Sequence, residues 1–177
     1  MVSMQEAGTG WRSAGSIVAR RLLLDRQAEF WMAELDPVRS LREIRARVVE
    51  VVEETEDAKT FVLRPNAAWQ GHRAGQYTSV EVEVNGVRVR RCYSISSVPD
   101  EALVSITVKR VPGGRVSTWL HEHTRSGDIL RLGAATGEFV LPAATPAKLL
   151  FLSGGSGITP VMSMLRDLAA RDAIHDV

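Results

Sequence analysis

Between residues 47 and 110 the chain carries five short runs dense in β-branched residues, and no other feature restricts its fold as strongly. The runs cover 47–52, 60–63, 77–84, 87–95 and 103–110. Valine, isoleucine and threonine suit a pleated, half-buried surface, so each run predicts a strand. Asn85-Gly86 separates two of them. That dipeptide accepts the positive φ angles of a two-residue hairpin, so the runs on either side pair antiparallel. Two further short runs, 129–132 and 138–141, follow a helical stretch at 116–123. Strands at such close spacing predict a small antiparallel barrel or sandwich.

The flanks read differently. Residues 1–41 predict a helical extension, with Ile17, Leu24, Ala28, Trp31 and Leu35 recurring at helical steps. Asp36-Pro37 ends it, because a residue before proline is pushed out of the helical region. The extension reads as a helix packed on the body, or as an interfacial or partner-binding helix presenting Trp11, Phe30 and Trp31. Pro142 and Pro146 mark a second boundary. Residues 148–152 form an apolar run of buried parallel-strand type, Gly154-Gly155-Ser156-Gly157 a glycine-rich turn, and Thr159-Pro160 opens a helix to about Ala170. The expected domains are 1–41, 42–145 and 146–177.

Composition removes several function classes. Twenty-two basic against 21 acidic residues leave a formal charge of +1, so no excess charge is present to hold a nucleic-acid backbone. The single cysteine, Cys92, rules out an internal disulfide framework and a four-cysteine zinc or iron–sulfur site within this chain. Of four scattered histidines only His121 and His123 are neighbours, and an i,i+2 pair on a helix does not share a face. No metal site is expected. No run approaches the roughly 18 apolar residues of a membrane span. Arg20-Arg21 before three leucines lacks the apolar core of an export signal, so the cytoplasm is the expected compartment. A peripheral membrane position is the alternative.

Four segments carry chemistry. On a strand, Arg91 and Tyr93 point to the same face, roughly 6–7 Å apart. The guanidinium suits a phosphate and the phenol a flat ring, and Ser94 can hydrogen-bond a ring nitrogen. The alternative is an ordinary exposed strand. Along 103–110, Val104, Ile106 and Val108 alternate with Ser105, Thr107 and Lys109. That is a half-solvated strand or one with a polar face lining a cofactor. Gly113-Gly114-Arg115-Val116-Ser117 leads into a helix, whose free N–H groups attract anions. The plain reading is a turn and an N-cap. The turn at 154–157 follows an apolar run and opens a helix, where a nucleotide phosphate sits in open α/β folds. It is neither a Walker loop nor a GxGxxG fingerprint.

Together, RxYSxxSxP, a strand ending in VK, GGxVS at a helix start and GGSGITP resemble the ferredoxin–NADP reductase superfamily, most closely its bacterial oxygenase- and desaturase-type reductases. The resemblance spans roughly residues 42–171. It implies a mainly β fold: a six-stranded antiparallel flavin-binding barrel with one helix, preceded by the helical extension and followed by an α/β nucleotide-binding lobe. The implied cofactor is FAD, with NAD(P)H as co-substrate. By resemblance Arg91 binds the flavin pyrophosphate and Tyr93 stacks on the isoalloxazine. Ser94, the one residue at the reacting centre, lies near the reactive nitrogen. Thr107, Val108 and Lys109 line the ribose and adenine side, and Gly114, Val116 and Ser117 hold the pyrophosphate. Gly154, Gly155, Gly157 and Thr159 border the nicotinamide and the flavin edge. The implied reaction passes a hydride from NAD(P)H to FAD, then single electrons to an iron–sulfur acceptor, with an oxygenase or desaturase downstream.

A nucleotide-binding half needs a βαβαβ run, and here one strand and one helix are legible before Asp176-Val177, which reads as the start of another strand. The lobe is therefore expected to be incomplete. That leaves two other readings, a flavin-binding module without turnover and an apo barrel acting as an interaction domain. It also leaves Val161, Met162, Met164, Leu165 and Leu168 without a full sheet to pack on. The expected cover is the N-terminal helix or a second copy of the chain, as a homodimer.

Overall fold

The computed structural model describes residues 36–142, 144, 146 and 148–174, together with Gln27, Ala28, Phe30, Trp31 and Glu34. Those five early residues are helical, and Asp36 has left the helix. Phe30 and Trp31 meet edge to face at 5.6 Å and stay exposed. Ile17, Leu24, Leu35 and Trp11, which the helical extension was expected to present, lie outside the described residues, as do Asp176 and Val177.

Six strands form one antiparallel sheet: β1 Ile44–Thr55, β2 Ala58–Pro65, β3 Tyr77–Val84, β4 Val87–Ser94, β5 Val104–Lys109 and β6 Ile129–Leu132. Their order is β4-β3-β6-β1-β2-β5. The β3–β4 hairpin turns at Asn85 (φ 53°) and Gly86 (φ 73°), the two positive angles its dipeptide predicted. The sheet curls until its edges approach. Ile95, just past β4, bridges to Ile106 of β5, and Ser96 N–H donates to the Ser105 carbonyl at 2.8 Å. The ladder does not close, so the expected barrel is an open one.

Period-two alternation fills the interior. Ala46 and Val48, Phe61 and Leu63, Val80 and Val82, Ile106 and Val108, and Leu130 and Leu132 all face one core. Helix α1, Arg115–His123, plugs that core with Val116 and Leu120. Burying each such side chain stabilises the fold by about 1.5–3 kcal/mol. No described helix is long and apolar enough to cross a membrane.

Two expected strands are absent. Residues 138–141 form no ladder, and the pairing stops at the Tyr77–Thr136 bridge. Gly137, at φ 117°, lies 3.1 Å from the Tyr77 ring by its would-be Cβ and turns the chain away from β3. Residues 148–152 are also irregular, and Leu150 and Leu152 are 82% and 86% exposed. A parallel strand exists only through hydrogen bonds to its neighbours, and no described strand lies beside this run.

Helix α2 spans Ile158–Ala170. Among the described residues, its Met164 and Leu168 pack on Ala74 and Leu141, flanked by Leu149, Phe151 and Ala173. Polar ties fasten it: Ser163 Oγ donates to the Ser97 carbonyl at 2.7 Å, and Arg166 Nη1 to the Ser96 carbonyl at 2.6 Å.

His72 sits at this seam, its Nε2 3.4 Å from the Ser97 carbonyl. Burial lowers its pKa from 6.5, against the raising effects of the Ser97 carbonyl and of Asp100, Asp167 and Glu101. The folded state thus favours the neutral ring. The stability it contributes is complete above about pH 6.5 and is lost as pH falls below that value. Urea midpoints at pH 7.5 and 5.5 check this. The wild type should lose more stability over that interval than His72→Gln, and parallel losses would clear His72 of the effect.

Candidate functional site

The polar ends of β4, β5 and α1 meet at one place on the barrel. A cleft of about 410 Å³ there is lined by Arg91, Cys92 and Tyr93 of β4, Lys109 at the end of β5, Val111, Gly113 and Gly114, and Arg115, Val116 and Ser117 of α1. The structure therefore gathers six of the sequence-predicted residues: Arg91, Tyr93, Lys109, Gly114, Val116 and Ser117.

The loop into α1 is shaped by sterics. Gly114 N–H donates to the Val111 carbonyl at 2.8 Å, and Val111 N–H to Ser117 Oγ at 3.2 Å. A Cβ on Gly114 would lie 2.5 Å from Ser117 Oγ and 2.9 Å from the Val111 carbonyl oxygen. Only glycine fits. Gly113 is different: it needs φ 72°, with nothing near its missing side chain. No side chain caps α1, and the first helical bond runs from Thr118 N–H to the Gly114 carbonyl. The N–H groups of Arg115, Val116 and Ser117 thus have no intrahelical acceptor. They sit with the helix dipole's positive end at the cleft, beside the cations of Arg91, Lys109 and Arg115.

Arg91 is exposed, its Nη1 turned to the Arg90 carbonyl at 2.8 Å. Lys109 pairs with Asp57 at 3.1 Å, which lowers the Asp57 pKa. Burial raises the Tyr93 phenol to about 12, against a smaller opposing effect of Arg91. The ring is therefore neutral and half-buried. Cations and free N–H groups on one side and a flat aromatic on the other suit an anionic ligand carrying a planar ring system.

The remaining predicted residues lie elsewhere. Thr107 shares a 2.8 Å hydrogen bond with Thr60, outside the cleft lining. Val108 is fully buried in the core, and its carbonyl accepts a bond from His121. Ser94 ends β4 opposite Tyr77. Gly155 and Gly157 lie in an exposed 3-10 turn before α2, preceded by the extended Gly154; Thr159 at the start of α2 is buried, and none of them lines the cleft. Sequence reasoning did not single out Cys92 or Val111 as lining residues. Cys92 alternates with Arg91 and Tyr93 on the strand, so period two alone assigns it to the other face.

Residues 45–141 match the family model described as the oxidoreductase FAD-binding domain. An NADPH oxidoreductase of Mycobacterium tuberculosis is 39% identical over 173 residues, covering 95% of this chain and 45% of that protein. A glycine betaine monooxygenase reductase subunit of Pseudomonas aeruginosa is 45% identical over 122 residues, covering 68% of this chain and 33% of that protein. Among solved structures, phthalate dioxygenase reductase, described as carrying electrons from pyridine nucleotides to a 2Fe–2S centre, superposes with a TM-score of 0.64 at 28% identity. That match covers 73% of this chain and 40% of the other. The chain spans less than half the length of these curated relatives.

Proposed function

The chain belongs to the oxidoreductase FAD-binding domain family, within the ferredoxin–NADP reductase superfamily, and from that premise we propose that it is the flavin-holding part of an NAD(P)H-dependent electron-transfer reductase. One observation carries the reading: a single cleft joins a strand-borne guanidinium and phenol to an uncapped helix start whose glycine admits no side chain. These residues fit FAD. Bound there, the flavin supplies the chemistry that accepts electrons in pairs and passes them on singly.

The chain's own residues bind and orient. Arg91, Lys109 and the N–H groups of Val116 and Ser117 neutralise the pyrophosphate, and Gly114 lets the backbone approach it closely. Tyr93 supports the ring system face to face. Ser94, one residue further along the strand, offers a hydroxyl toward the reactive edge. Thr107 and Val108 act as wall behind the ribose and adenine side rather than as ligands, since their polar groups already have partners. Gly154, Gly155, Gly157 and Thr159 border the nicotinamide. Ser163, tied to Ser97 just beyond β4, lies roughly 7–8 Å along α2 from that turn, which keeps the turn near the β4 end. The proposed division is a helical extension at 1–41, the FAD barrel at 42–145 and the opening of the nucleotide lobe at 146–177. The proposed acceptor is an iron–sulfur protein or domain serving an oxygenase, in keeping with the reductase relatives.

A second reading, a flavin-binding module without turnover, has one observation in its favour: residues 148–152 form no strand against which a nicotinamide nucleotide could be held. Mixing flavin-loaded protein with NADPH separates the two. Bleaching of the flavin band supports the reductase, and an unchanged band supports the module.

The flavin assignment is tested by titration with FAD. Arg91→Ala should weaken binding by about 2 kcal/mol, roughly 30-fold, because a charge-assisted phosphate contact is lost. Arg90→Ala, whose guanidinium is held by Glu81 at 2.9 Å, should change affinity less than about twofold. Equal affinities for the two variants would remove Arg91 from the site.

A further inference from the structure

We infer that His121 is a positioning residue for the flavin pyrophosphate, setting the helix start at the distance from β5 that the phosphates require. The inference rests on the flavin reading above and assigns a role to a group that reading leaves unused.

His121 stands in the last turn of α1 and is 5% exposed. Its Nε2 lies 2.8 Å from the Val108 carbonyl. A carbonyl only accepts, so Nε2 carries the proton and the ring is the donor. The ring edge also packs against Phe61 at 6.5 Å. From the backbone of the same residue, the carbonyl accepts from Lys59 Nζ at 3.4 Å, and Lys59 is itself held by Glu53 at 2.8 Å. One residue therefore ties α1 to β5 through its ring and to β2 through its main chain.

The tie joins the two elements that wall the cleft. Val108 immediately precedes Lys109, the β5 contribution to the cleft, and α1 begins with Arg115, Val116 and Ser117, the opposite contribution. Apolar packing of Val116 and Leu120 holds α1 against the barrel, the Val111–Ser117 hydrogen bond ties its first turn and the His121–Val108 bond ties its last. A directed hydrogen bond fixes the axial position, because a shift of one turn, about 5 Å, breaks it outright. His121 touches no ligand. It acts through the helix whose uncapped end meets the phosphates.

The test compares His121→Leu with His121→Gln, whose amide N–H can replace the ring donor, and uses two ligands. Riboflavin reports the ring site at Tyr93 alone, whereas FAD also needs the helix start. His121→Leu should bind FAD about tenfold more weakly and riboflavin within about twofold of wild type, and His121→Gln should recover most of the FAD loss. Amide hydrogen exchange on ligand-free protein gives a second readout. Exchange at residues 115–118 should quicken in His121→Leu while β1, β3 and β6 keep their protection. Unchanged FAD affinity with unchanged exchange overturns the inference, and so does an equal loss of FAD and riboflavin, or a glutamine variant no better than leucine. A wild type that binds no FAD refutes the flavin reading, and the exchange arm still decides whether His121 positions α1.

Discussion

Gly114→Val will strip the protein of FAD while leaving the barrel folded. The Cβ alone would sit 2.5 Å from Ser117 Oγ and 2.9 Å from the Val111 carbonyl oxygen, and the two extra methyls need space that Val111 already fills. The loop must open, which breaks the Gly114–Val111 and Val111–Ser117 hydrogen bonds together. Both lie outside the main core, whose side chains come from the strands and from Val116 and Leu120. Overpacking of this kind costs about 1–3 kcal/mol. If that strain is relieved only by moving the helix start, FAD affinity should fall roughly 100-fold at the upper end of the range. Gly86→Asn is the control. Gly86, in the β3–β4 hairpin and outside the cleft lining, needs a left-handed angle that asparagine tolerates, and no atom lies within 4 Å of its would-be Cβ. That variant should bind FAD within about threefold of wild type. Isothermal titration with FAD and a thermal melt of each variant check both statements. A valine variant that keeps full affinity would show that the helix start does not hold the phosphates.

The glycine pair before α1 shows what a sequence discloses. A helix entered through Gly113-Gly114 is legible from residue types, and α1 begins at Arg115, one residue before the expected 116. That the two glycines serve different needs, one conformational and one steric, is not legible. It depends on where Val111 and Ser117 arrive in space. The strands divide similarly. β3 and β6 match their expected bounds because alternation and turn residues frame them on both sides. β1 runs from Ile44 to Thr55, well past the expected 47–52. Its pairing with β2 shifts between Val48 and Glu50 and between Glu53 and Thr55, and such bulges interrupt the period-two signal. The runs at 138–141 and 148–152 have strand composition but no partner, and pairing is non-local, so composition alone overcalled them. At the site, Arg91, Tyr93, Lys109, Gly114, Val116 and Ser117 were legible from motif order. Thr107 and Val108 follow from the same motif; the structure places them outside the cleft lining, with Thr107 bonded to Thr60 and the Val108 carbonyl to His121. His121 was read only with its neighbour His123, as a pair that does not share a helix face for a metal, and nothing in that spacing points to a strand partner. Only its 2.8 Å bond to a strand carbonyl reveals its use.

The largest expected loss of stability lies away from the cleft, at Gly75. Its φ of 96° falls where L residues are strained, so any side chain costs about 1–2 kcal/mol in backbone conformation alone. A Cβ there would also run into the Phe139 carbonyl and the Met164 terminal methyl. The methyl can swing aside, but the carbonyl belongs to backbone that Val140 N–H and Gly137 already constrain. Relief therefore displaces Met164, which is 2% exposed and joins Ala74, Leu141 and Leu168 in the small core that holds α2. Gly75→Ala should destabilise the protein by about 3 kcal/mol, the backbone and overpacking costs together. Gly71→Ala separates those two costs. Gly71 has φ 81° with nothing within 4 Å, so its alanine variant carries only the conformational part, about 1–2 kcal/mol. The loss in Gly75→Ala should fall unevenly. Amides of Ile158–Ala170 should lose exchange protection while β1, β2 and β5 keep theirs, since the main core contains neither Met164 nor Leu168. FAD affinity should stay within about threefold of wild type, because no lining residue of the cleft touches this seam. Urea denaturation and exchange on the two alanine variants decide the matter. If Gly75→Ala is no less stable than Gly71→Ala, the contact of α2 with the 72–76 loop is not what holds the helix to the barrel.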